Sequence, residues 1–251
     1  MEPHLLILGG TTEATALARA VAGASIAGTF SYAGRVANPR EKPLPLRVGG
    51  FGGPEGLADW IREHGVTHVV DATHPFASQM SHNAVEACDA CGVPLIALTR
   101  LPWQAQVADH WWHVPDINGA VDALGEDPRR VFLAIGRMHL AEFARAPQHF
   151  YLLRLVDPPE GDLPLPDSAV EVSRGPFTVE DDTALMRAHR IDVVVSKNSG
   201  GDGARAKIDA ARALHLPVIV IDRPDLPQRR EVHTVDEVLR WLGHAGTDLG
   251  V

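Results

Sequence analysis

Short apolar runs rich in β-branched residues alternate with longer amphipathic stretches along almost the whole chain. The runs predict strands at His4–Leu8, Ser25–Phe30, His68–Asp71, Pro94–Thr99, Arg130–Ala134, Phe150–Leu155, Asp192–Ser196 and Pro217–Asp222. Several (LLIL, VVDA, DVVVS, VIVI) are continuously apolar, as expected of central strands in a parallel sheet covered on both faces. Helical periodicity between them predicts helices at Thr12–Ala22, Pro54–His64, Ala77–Cys91, Asp116–Leu124, Met138–Ala144, Val179–His189, Ala204–Leu214 and Val235–Leu242. Strand–helix alternation on this scale gives an α/β fold with mostly parallel, doubly wound sheets.

The alternation breaks at Arg100–Pro115, where RLPWQAQVADHWWHVP has two prolines, clustered aromatics and no clean period. Two α/β domains are therefore expected, 1–112 and 113–251, each of a size that buries its own core. Trp111 and Trp112, flanked by His110 and His113, read as a core or interdomain aromatic cluster. Asp157–Ser168, proline-rich and acidic, reads as a surface loop.

Composition narrows the function classes. The chain has 251 residues, 45% of them hydrophobic, and a formal charge of −9. That balance argues against a nucleic-acid partner, because binding phosphates needs a broad basic footprint. No stretch approaches the roughly 20 apolar residues of a bilayer span, and the first residues lack a signal-peptide pattern, so a cytoplasmic location without membrane contact is expected. No metal-ligand spacing occurs among the 13 histidines. Cys88 and Cys91 end a helical pattern instead of beginning one, so they read as reduced structural thiols.

Candidate chemistry sits where predicted strands end. LLILGGTTEATALARA is strand, glycine turn, helix, and a helix N-terminus offers unpaired N–H groups to a pyrophosphate. Gly9 and Gly10 allow the tight turn; Thr11 or Thr12 caps the helix. The string departs from GxGxxG, with Thr11 and Ala14 at the second and third glycine places. At the end of the second strand, SYAGR carries no acid where an NAD site usually places one about 20 residues on. Ser31 and Arg35 suit a 2′-phosphate and Tyr32 an adenine, which favours NADPH.

Three further loops follow strands. Val48–Gly53 puts four glycines around Phe51, suited to a flat ligand or equally to a mobile linker. Asp71–Ala77 (DATHPFA) carries Asp71 and His74, either of which could do proton chemistry at a strand's carboxyl end. Ser196–Gly201 (SKNSGG) precedes a helix and suits an anion, although its spacing excludes a nucleoside-triphosphate loop. Arg100, Arg137, Arg174 and Lys207 also fall near strand ends or helix starts; facing one cleft, they would suit a polycarboxylate.

LILGGTTEA, SYAGR, RVGGFGG, DATHPFA followed by Ser81 and Asn83, and SKNSGG occur in order over residues 5–201. Together they resemble the precorrin-6A reductase family. The resemblance implies two Rossmann-like domains with cofactor and tetrapyrrole in a cleft between them, and hydride transfer from NADPH to a C=C bond of the macrocycle. It implies cofactor contacts at Gly9, Gly10, Thr11, Thr12, Ser31, Tyr32, Arg35, Gly50, Phe51, Gly52, Thr73 and Pro75. Substrate contacts are expected at Arg100, Arg137, Lys197, Asn198, Ser199, Gly200 and Lys207, with His74 or Lys197 as catalytic proton donors beside solvent. The implied partners are the precorrin substrate and, transiently, neighbouring pathway enzymes. Three rivals remain open at this level: an NADH-favouring cobalt-precorrin-6A reductase, a non-catalytic NADP(H) sensor, and an oxidoreductase acting on another acid.

Overall fold

The computed structural model describes residues 2–32, 43–159 and 161–244. Two compact units emerge, one from 1–100 with 225–251 and the other from 101–224.

The first unit contains β1 (His4–Leu8), α1 (Thr12–Gly23), β2 (Ala27–Tyr32), β3 (Leu46–Val48), α2 (Pro54–Glu63), β4 (His68–Asp71), α3 (Ser78–Cys91) and β5 (Leu95–Leu98). The second contains β6 (His110–Val114), α4 (Ile117–Leu124), β7 (Arg130–Ala134), a 3₁₀ turn (Arg137–His139), α5 (Leu140–Phe143), β8 (Phe150–Leu155), β9 (Ser168–Val172), α6 (Val179–Ala188), β10 (Val193–Lys197), α7 (Ala206–Ala213) and β11 (Pro217–Ile221). The chain then returns to the first unit as β12 (Glu231–Val232) and α8 (Val235–His244).

Each unit is built on a six-stranded, all-parallel sheet. The orders are β3-β2-β1-β4-β5-β12 and β9-β8-β7-β10-β11-β6. The direction of strand addition reverses between β1 and β4 in one sheet and between β7 and β10 in the other. These reversals are the switch points at which open α/β sheets bind ligands.

The continuous apolar runs have a direct packing cause. Along β1, Leu5 and Ile7 join the cluster formed with Leu17, Val21 and Val238 from α1 and α8. Leu6 and Leu8 face the opposite way, into Leu57, Ile61, Ala84 and Ala87 from α2 and α3. A strand covered on both faces has no polar position to spare. In the second sheet, Phe132, Leu152, Val194 and Val220 pack against Met186, Ile208 and Ala211 of α6 and α7.

The observed units differ from the expected division at 112/113 in two ways. HWWHV pairs in parallel register with β11 as edge strand β6, so Trp111 and Trp112 stand on a sheet edge, with Trp112 45% exposed. Residues 225–251 were expected in the second domain; instead β12 pairs with β5, and Val238 and Leu242 of α8 complete the first core. Leu242→Ala should therefore cost about 2–5 kcal/mol. Urea unfolding measures the loss, and hydrogen exchange should quicken in β1 and β5 while β10 and β11 keep their protection.

Candidate active site

The first switch point is assembled by side chains that bind backbone. Gly9 donates its N–H to the Ser31 carbonyl at 2.9 Å. A Cβ there would lie 2.2 Å from the buried Phe30 ring, so the turn requires glycine at that position. Thr11, the residue that caps α1, accepts from the Ala14 N–H at 3.1 Å and donates to the Ala72 carbonyl at 2.9 Å. One hydroxyl thus fixes the start of α1 against the end of β4.

A shallow recess opens there, lined by Leu8, Gly9, Ser31, Gly49, Gly50, Phe51, Thr73 and Met80. The structure accordingly brings together five of the expected cofactor residues: Gly9, Ser31, Gly50, Phe51 and Thr73. Gly10, Thr11 and Thr12 continue the turn beside them; Gly52 and Pro75 lie outside the lining. Tyr32, half-buried, packs its ring 4.8 Å from Phe30 against the core cluster. Arg35 lies outside the described residues.

Asp71 is the anchor of the next loop. Its side chain is 1% exposed. Oδ1 accepts from the Thr73 N–H (3.1 Å) and hydroxyl (2.6 Å); Oδ2 accepts from the Ser81 hydroxyl (2.6 Å) and from the Arg229 guanidinium. His74 Nδ1 accepts from the Phe76 N–H at 3.2 Å, so the neutral ring carries its proton on Nε2. Arg100, expected among substrate cations, instead donates to Thr12 (3.1 Å) and Glu13 (2.6 Å) at the start of α1. Burial opposes the Glu13 charge, yet hydrogen bonding and attraction from Arg100 hold its carboxyl below the usual range.

The second switch point lies at the ends of β7 and β10. Arg137 is exposed on the 3₁₀ turn and rims a cavity of about 410 Å³ that is mostly apolar, with Met138, Leu140, Leu155 and Leu163 among its lining. His139 bonds Glu142 at 2.9 Å; that bond first, and the nearby Lys197 charge among lesser causes, keeps the Glu142 carboxyl low despite some burial. Gly200 and Gly201 both take φ of +68°, a left-handed conformation that glycine adopts without a Cβ penalty.

Two expected substrate residues serve this loop internally. Asn198 accepts from the Trp103 N–H (2.8 Å) and donates to its carbonyl (3.2 Å), while the Trp103 indole holds the Gly201 carbonyl at 2.7 Å. Lys207, only 8% exposed, donates to the Ala204 carbonyl at 2.6 Å and lies 5.1 Å from the Trp103 ring. Its burial, more than repulsion from Arg154, pulls its pKa down to about 8, with Asp182 pulling the other way. A buried ammonium cannot act as a surface clamp for a carboxylate. Cys88 is inert for the same physical reason: burial first, then neighbouring negative charge, pushes its thiol up to about 12.

Sequence reasoning missed Arg47, Trp103, Arg223 and Arg229. Arg47 had a local signal, standing two residues before the glycine loop. Arg223, which binds the carbonyls of Asn198 and Ser199, and Arg229, 158 positions from Asp71, had none.

Among the described residues no group of side chains is arranged to hold a metal ion, and no helix is long and apolar enough to cross a membrane. The fold is that of a two-domain α/β protein with Rossmann-like parallel sheets. Residues 4–243 match the family described as precorrin-6x reductase CbiJ/CobK. The chain belongs to that family, and so is an oxidoreductase of cobalamin biosynthesis. It is 58% identical to the precorrin-6A reductase of Rhodobacter capsulatus over 249 residues, covering 99% of each chain. Identity to the cobalt-precorrin-6A reductase of Priestia megaterium is 32%, covering 95% of this chain and 97% of that one. A solved structure, CobK precorrin-6A reductase, is 57% identical and superposes with a TM-score of 0.94, covering 97% of both chains.

Two predictions come from these buried groups. Arg229→Ala leaves Asp71 charged and unpaired in the interior and should cost about 3–5 kcal/mol by urea unfolding. Adding Asp71→Asn should recover part of it, and a loss within experimental error would show that the pair contributes nothing. Lys207 has a folded pKa of about 8 against an ordinary 10.5, so between those values the unfolded chain binds more protons and stability rises with pH. The Lys207→Met variant should lack that rise between about pH 8 and pH 10.5.

Proposed function

We propose that this chain reduces one C=C bond of precorrin-6A with NADPH, giving precorrin-6B. The observation that carries this reading is the glycine-lined recess at the first switch point, in a chain that agrees end to end with a precorrin-6A reductase. The higher identity to that relative than to the cobalt-precorrin enzyme favours the metal-free macrocycle. Ser31 at the end of β2, with no acid beside it in the described strand, favours the 2′-phosphate of NADPH. A cytoplasmic site and transient hand-over to neighbouring pathway enzymes go with this role.

The residues present fit a dinucleotide. Gly9 permits close backbone approach, Gly10–Thr12 open α1 towards a pyrophosphate, and Ser31 with Arg35 would take the 2′-phosphate. Gly50, Phe51, Gly52, Thr73 and Pro75 would shape the nicotinamide pocket. Bound there, the cofactor supplies a hydride; the protein's part is to orient the ring, exclude water and deliver one proton. Hydride and proton add to the two carbons of the double bond, so the product is two hydrogens richer. His74 Nε2–H and the Lys197 ammonium are the candidate proton donors, and Arg137, Lys197, Ser199 and Gly200 the candidate contacts for the substrate's carboxylates.

The test is anaerobic turnover of precorrin-6A, followed by NADPH absorbance and product mass. Consumption of NADPH with a gain of two hydrogens is expected, and Arg35→Ala should raise KM for NADPH about tenfold while leaving that for NADH nearly unchanged. NADH preference, or reduction of the cobalt-containing macrocycle alone, would overturn the reading. Binding of NADPH without turnover of any tetrapyrrole would support a sensor.

A further inference from the structure

Arg47, at the centre of β3, is a residue for which the proposed reaction has assigned no use, and it touches half of the recess lining. Its register partner across the β2–β3 ladder is Ser31, whose hydroxyl lies 3.4 Å from one guanidinium nitrogen. That nitrogen also donates to the Gly49 carbonyl at 2.6 Å, and the second terminal nitrogen donates to the Gly50 carbonyl at 2.9 Å. The guanidinium carbon lies 3.6 Å from the centroid of the Phe51 ring, which meets the edge of Trp60 with centroids 5.8 Å apart. Ser31, Gly49, Gly50 and Phe51 are four of the eight residues that line the recess.

The loop needs such a clamp. Gly49, Gly52 and Gly53 take φ of +120°, +83° and +98°, so the loop is built from the residue type that loses most conformational freedom on ordering. Backbone hydrogen bonds fasten its two ends, from Gly49 N–H to the Tyr32 carbonyl and from Leu57 N–H to the Gly53 carbonyl. Arg47 spans the stretch between. Its planar fork can grip two carbonyls and stack on an aromatic ring at once, which a lysine cannot do.

We infer that Arg47 is the positioning residue of the cofactor recess: it holds the glycine loop and Phe51 in their binding shape before any dinucleotide arrives. This rests on the cofactor reading above. A loop ordered in advance spares the ligand the cost of ordering it, whatever the ligand carries at its 2′ position. Loss of Arg47 therefore weakens NADPH and NADH alike, whereas loss of a 2′-phosphate contact weakens NADPH only.

Isothermal titration of the full chain with NADPH and with NADH tests this without turnover. Arg47→Ala should raise both dissociation constants by a similar factor, about tenfold, with its melting temperature close to that of the parent. Arg47→Lys should recover only part, since one ammonium replaces the fork; it also serves if the alanine variant folds poorly. Unchanged affinities in both variants, with the parent binding well, overturn the role of Arg47 and leave the cofactor reading intact. A loss confined to NADPH makes Arg47 a 2′-phosphate contact and overturns positioning. A parent that binds neither dinucleotide overturns the cofactor reading and this inference with it.

Discussion

The carboxylate of Asp71, buried at the end of a central strand, holds the first unit together at the point where its chemistry is expected. An isolated ionised carboxylate in that position would be strongly unfavourable. Here Thr73 donates from its N–H and its hydroxyl, Ser81 donates from α3, and Arg229 donates from the returning C-terminal segment. One group therefore sets the course of the Thr73–Phe76 loop and fastens the segment that carries β12 and α8. The same carboxylate thus touches both the Thr73 wall of the recess, through Oδ1, and the segment from the far end of the chain, through Oδ2.

The two sheets share one architecture. Both place their strands in the same order about a central switch point, yet each takes its sixth strand out of the simple succession. In the first sheet it is β12, supplied after the second unit is complete; in the second it is β6, supplied before the central strand β7. A linear division of the chain into two consecutive domains cannot describe such a fold. Apolar periodicity reports how a strand is covered, and carries no information on which sheet takes it in.

The same distinction governs what was legible in the sequence. The central strands were visible because both faces are buried, and the helices because their apolar stripes and caps, such as Thr11, Asp116 and Thr178, are local. The strands that went unread are the edges and short pieces, β3, β6, β9 and β12, whose residues are largely half-buried or exposed and leave no apolar run. In the site, glycine turns and polar residues directly following a strand were legible, since strand ends fix their position. Arg229, Arg223 and Trp103 were not, because their roles depend on partners far away in sequence. Lys207 was misjudged for a related reason: a lysine at a helix start reads as exposed, and only the packing of Trp103 over it shows that it is buried.

The corrected placement of the cations changes how an acidic protein would hold a polyanionic ligand. Arg100 is paired with Glu13, Lys207 is buried against Trp103, and Arg154 is paired with Asp182 in the interior. These charges stabilise loops and helix ends. At the second switch point Arg137 lies on its exposed turn at the rim of a mostly apolar cavity, and Lys197 ends β10. For the macrocycle proposed above, the apolar lining around the exposed Met138 would take the ring face and Arg137 a carboxylate. Recognition of this kind rests on shape and desolvation first, with charge setting orientation. A net charge of −9 is then no obstacle, because the site needs only a few well-placed cations against an apolar floor.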